Sequence, residues 1–188
     1  MGAAFKTEFE FYDYCFQFSE EASLRILKES IGEDKLETTP LKPGEDFSYD
    51  HWVCSIAVAL GEAKVYVKAH FDSKTARKVA AKGTQLTEKG LPTSVLIDFM
   101  REYLNQIMGD IKSQFLSEEE DVSVPEISPS YDEGIGSENN LDVNSRFWKI
   151  ELEFGQIILG CYITAIGDVT SIEKKSEEDG DESNIEFL

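Results

Sequence analysis

The chain has 188 residues, of which 41% are hydrophobic, and this suffices for one domain with a real core but is cramped for two. Its formal net charge of −19 argues against nucleic acid or an anionic membrane surface as a partner. No run of eighteen apolar residues exists, so no membrane-spanning helix is expected.

The N-terminal stretch lacks a basic region followed by a long apolar one, so no secretory signal is expected. Cys15, Cys54 and Cys161 lie far apart in apolar contexts with no metal spacing. They read as buried free thiols, which implies a reducing, cytoplasmic setting.

In chain order, aromatics crowd residues 9–18, and their alternation is ambiguous between strand and helix. A helix is expected from about Tyr12 or from Ser19 to Ile31, stopped by Gly32. Thr38 to Tyr49 carries Pro40, Pro43 and Gly44 and reads as a loop. Val53–Leu60 and Ala63–Phe71 read as a hairpin turning on Gly61-Glu62. Ser73 to Lys82 reads as a short basic helix closed by Gly83, its cations being a solvated face.

After Gly90-Leu-Pro, Thr93 or Ser94 is expected to cap the longest helix, which runs towards Leu116. Leu96, Phe99, Met100, Tyr103, Leu104, Ile107, Met108, Ile111 and Phe115 recur at helical period and form one apolar stripe. At about 100° per residue, Asp98, Glu102 and Asn105 fall within roughly 60° of one another on the opposite face. There a carboxylate could grip a partner while a neutral amide orients a water.

Beyond this helix, Val122 to Pro125 reads as a short edge strand and 126–144 as a long loop. Arg146–Phe154 and Gln156–Thr164 read as a second hairpin around Gly155. Residues 1–168 are therefore taken as one domain, and 169–188 as a flexible acidic tail. Seven of the last sixteen residues, from Glu173 on, are acidic. Each half has a helix, a loop and a hairpin. The expected fold class is α+β, an α/β two-layer fold of pseudo-duplicated helix–hairpin units with long helices on an antiparallel sheet.

Asp98-x-x-x-Glu102-x-x-Asn105 resembles the signature of the CheC/CheX/FliY phosphatases of bacterial chemotaxis. In that family an Asp or Ser, a Glu and an Asn stand at this spacing on a helix, with a Pro a little over twenty residues later. Here Pro125 follows Asn105 by twenty. The hairpin at Gly61, the basic helix before the motif and the single signature copy are most similar to CheX. The family continues Asn-Ile-Ile-x-Gly-Asn; here Asn105-Gln-Ile-Met-Gly109-Asp110 matches at Gly109 and departs at Asp110.

The resemblance implies a phosphatase acting on the aspartyl phosphate of a CheY-like response regulator. Asn105 would orient the attacking water, Glu102 would contact a regulator Lys, and Asp98 would assist docking. The regulator would supply its own Mg²⁺, so no metal or cofactor is expected on this chain. The resemblance also implies homodimers joined through sheet edges, with the Gly155 hairpin as a plausible edge. A non-catalytic module binding a receiver or a flagellar-switch component through the same helix face is the alternative, and a purely structural dimerisation domain is the third.

Overall fold

The computed structural model describes residues 3–41, 51–115, 122–130 and 144–175. The acidic run 118–121, most of the long loop (131–143) and the tail from 176 onward lie outside the described residues.

Helix α1 spans Glu8–Ile31, beginning earlier than its sequence suggests. Thr7 caps it, its hydroxyl accepting from the Glu10 amide at 3.1 Å, while the Glu10 carboxylate accepts from the Lys6 amide at 2.9 Å. This is close to a reciprocal capping box, and Thr7-x-x-Glu10 was the readable signal for it. Phe11, Tyr12, Cys15, Phe16, Ser19, Ala22, Ser23 and Ile26 are buried at helical spacing, so the aromatic run belongs to the helix. Gly32 ends it in the left-handed region at φ 68°, its amide bonded to the Lys28 carbonyl.

Strands β3 (His51–Leu60) and β4 (Ala63–Phe71) form the first hairpin, with Leu60 opposite Ala63 across Gly61-Glu62. Helix α2 is Ser73–Thr84, capped by Asp72, whose carboxylate accepts from the Lys74 and Thr75 amides at 2.8 Å. It runs past Gly83, contrary to the sequence expectation, and ends at Gln85 with φ 57°. Gly83 serves close approach instead: a Cβ there would strike the Phe99 ring of the next helix.

Helix α3 is Thr93–Ser113. Pro92, not Thr93 or Ser94, occupies its cap position, and no side chain caps it. Buried Leu91 and a bond from Arg77 to the Leu91 carbonyl hold the chain just before Pro92.

The second hairpin is β6 (Ser145–Leu152) and β7 (Gly155–Ala165), turning on Glu153-Phe154. The six-stranded antiparallel sheet runs β2 (Thr38–Pro40), β6, β7, β4, β3, β5 (Glu126–Ser130), so the two hairpins meet through β4 and β7. Short strands close its two sides: β2 pairs with β6, and β5 pairs with β3. Both were expected to be loop. Val122 makes only an isolated bridge to Val58, and the edge strand starts after Pro125.

The Gly155 hairpin is accordingly not an edge. Strand β7 is paired on both sides, by β4 and β6, and Ile157, Leu159 and Cys161 on one face and Ile158 on the other are buried.

The three helices pack on the sheet face that carries Ile56, Val58, Val65, Val67, Trp148, Ile150, Ile157 and Leu159. This is the expected two-layer α+β architecture. Residues 169–175, assigned by sequence to the tail, join the fold. Val169 and Ile172 are buried, and β8 (Glu173–Lys174) pairs with β1 (Ala3–Ala4). Among the described residues, no helix is long and apolar enough to cross a membrane.

Candidate functional site

Helix α3 carries the candidate site. Leu96, Met100, Tyr103, Leu104, Ile107, Met108 and Ile111 are buried on its inner side, and Phe99 packs against the core edge. With that stripe fixed, the 3.6-residue period turns the opposite side to solvent. Asp98, Glu102, Asn105 and Gly109 are all exposed there. The three sequence-selected side chains therefore share one wet face on an element whose other side is locked into the core.

Their surroundings differ. Glu102 Oε1 accepts a hydrogen bond from Gln106 Nε2 at 3.0 Å, one turn ahead. Asn105 is exposed and makes no side-chain hydrogen bond among the described residues. Asp98 makes none among them either.

Asp110, which stands where the family pattern has a second Asn, is only about a third exposed and forms an ion pair with Arg25 of α1. Arg25 also reaches Glu29 of its own helix at 3.2 Å. A carboxylate at 110 thus has a partner on the neighbouring helix. Sequence reading had no local signal for this, since the two residues are 85 positions apart. Gln106 was also missed, although its i, i+4 spacing from Glu102 was readable.

Behind the site, α3 is fixed against α1. Tyr103, adjacent to Glu102, donates its hydroxyl to the Ser23 carbonyl at 2.9 Å. Ser23 Oγ in turn accepts from Trp148 Nε1 at 2.9 Å. The site residues thus stand on a rigid support, as positioned polar chemistry requires.

Among the described residues no three His, Cys, Asp or Glu side chains gather to hold a metal ion. Cys15, Cys54 and Cys161 are free and buried. Burial pushes the Cys54 and Cys161 thiols up to about 12, and raises Cys15 as well, which makes them poor nucleophiles.

No family model matches the sequence, and no curated protein matches it. Solved structures do. A CheC-like superfamily protein from Shewanella sp. PV-4 superposes with a TM-score of 0.60 at 12% identity, covering 80% of this chain and 97% of that one. The chemotaxis protein CheX from Vibrio vulnificus gives 0.58 at 14% identity, covering 80% and 99%. A CheX–CheY–BeF3–Mg²⁺ complex from Borrelia burgdorferi gives 0.58 at 15% identity, covering 79% and 96%. At these identities the likeness is one of fold, and the fold is the CheC/CheX type that the helix signature suggested.

Proposed function

We propose that this chain is a CheX-like phosphatase that hydrolyses the aspartyl phosphate of a CheY-type response regulator. The observation that carries the reading is the joint exposure of Glu102 and Asn105 on the solvent face of the long helix in a CheX-type fold. That a protein of this fold has been solved in complex with CheY supports a receiver domain as partner.

An acyl phosphate already hydrolyses unaided, so the catalyst's main task is to hold a water in line with phosphorus. A carboxamide suits the task because it donates and accepts at once and carries no charge to repel the phosphoryl oxygens. Asn105 orients the water in this reading. As the water oxygen bonds to phosphorus, the bond to the aspartyl oxygen breaks, the regulator's carboxylate leaves and inorganic phosphate is released. Glu102 accepts from an ammonium of the regulator and so fixes the two chains in register. Asp98, one turn upstream, adds negative charge to the docking face.

A divalent ion held by the receiver would supply charge neutralisation at the phosphoryl oxygens, and this chain would need none of its own. The three buried thiols favour a reducing, cytoplasmic setting. Pairing of two copies is proposed at an open sheet edge, and β2 and β5 are the edges on offer.

The test is the rate of phosphate loss from a phosphorylated receiver with wild-type chain, Glu102→Ala and Asn105→Ala. Loss of the acceleration in both variants supports the reading. Tight receiver binding without acceleration by the wild type would favour a non-catalytic receiver-binding module instead.

A further inference from the structure

Gln106 stands one residue beyond the carboxamide assigned to the water. We propose that it is a positioning residue: its amide is committed to Glu102, and it presets that carboxylate for the partner's ammonium. The inference rests on the phosphatase reading and names how the docking half of that site is organised.

Two exposed amides, Asn105 and Gln106, follow one another on α3. They differ in geometry. Successive residues lie about 100° apart around a helix, so Gln106 sits to one side of the Asp98–Glu102–Asn105 line. Its longer side chain reaches back one turn and donates to Glu102 Oε1 at 3.0 Å. Asn105 spends no such bond among the described residues. The division of labour follows: one amide is free to meet a water, and the other restrains the carboxylate.

An unrestrained glutamate on a solvated helix face samples several rotamers, and ordering it on binding opposes association. A donor on Oε1 narrows that choice beforehand and leaves Oε2 and the remaining lone pair of Oε1 for an incoming ammonium. Because the donor is neutral, it orders Glu102 without neutralising it. A lysine at 106 would order it too, but would compete with the partner's own cation.

The experiment measures dephosphorylation of a phosphorylated receiver over a range of receiver concentrations. It uses the full chain, Gln106→Ala, Gln106→Glu, Glu102→Ala and the double variant Glu102→Ala/Gln106→Ala, each checked for an unchanged circular-dichroism spectrum. Gln106→Ala is expected to raise KM about twofold, the scale of an exposed i, i+4 pair, with kcat unchanged. Gln106→Glu removes the donor and adds a like charge, so it raises KM further. In the Glu102→Ala background the Gln106→Ala change has no additional effect.

A wild-type KM in Gln106→Ala alongside an impaired Glu102→Ala overturns the inference and leaves the phosphatase reading standing. So does a loss confined to kcat, or additive effects in the double variant. An unimpaired Glu102→Ala overturns the underlying reading itself.

Discussion

The Tyr103 hydroxyl donates to the Ser23 carbonyl at 2.9 Å, tying the helix that carries the candidate site to its neighbour at the residue beside Glu102. Both residues are buried, and burial pushes the phenol far above its ordinary range, so it remains a donor at any working pH. Replacing Tyr103 by Phe removes only the donor. The expected cost is about 1 kcal/mol, read as a lower urea midpoint at unchanged m-value.

Gly83 lies inside α2 where the Phe99 ring of α3 presses on it. In an open helix interior, Gly→Ala stabilises by about 1 kcal/mol. Here Gly83→Ala is expected to destabilise by about 1–3 kcal/mol, because the ring has to move within a packed helix–helix contact. Trimming the ring relieves the clash. In thermal unfolding, the Ala at 83 should therefore cost less in a Phe99→Ala background than in wild type.

The three thiols make a pH prediction. All have folded pKa values raised above the ordinary 9.0, mainly by burial, with Cys54 and Cys161 near 12. Below pH 9 the thiols are protonated in both folded and unfolded chains, and the folded state loses nothing through them. Above pH 9 the unfolded chain gains by releasing protons that the folded chain retains. Stability therefore falls as pH rises from 9 towards 12, by up to about 1.4 kcal/mol per pH unit per thiol. Chemical denaturation at pH 8, 9, 10 and 11 checks the slope. At pH 8 a thiol reagent should label none of the three until denaturant unfolds the chain.

Much of this architecture was legible because it obeys simple periods. The stripe from Leu96 to Phe115 repeats every 3.6 residues, and it buried as read. Val65 and Val67 alternate with Lys64, Tyr66 and Lys68, and the Gly61-Glu62 turn set the register of that hairpin. What escaped depends on distant pairing. Thr38–Pro40 becomes a strand only because Ile150, Lys149 and Trp148 lie beside it. Glu126–Ser130 contains Pro129, which argues against a strand except at an edge, and an edge is where it lies. The start of α1 was hidden by aromatics that mimic a strand's alternation. On the site helix, the apolar period located Asp98, Glu102 and Asn105, but Arg25, which pairs with Asp110, comes from another element.

The Arg25–Asp110 pair predicts that Asp110→Asn is mild. Both side chains remain partly exposed, so solvent screens the interaction and the loss should stay below about 1 kcal/mol. The difference from wild type should shrink at high salt. The same variant should dephosphorylate a receiver at the wild-type rate, because its carboxylate is turned to α1 rather than to the Glu102–Asn105 face. Parallel denaturation and dephosphorylation measurements check both halves.

The most direct measurement is the kcat for dephosphorylation of a phosphorylated CheY-type receiver by Asn105→Ala at saturating receiver. If Asn105 orients the water as proposed, removing its amide should lower kcat about 100-fold, while receiver affinity stays within a few-fold of wild type. A kcat equal to that of the wild type would contradict the assignment of Asn105 and, with it, the catalytic reading of this helix face.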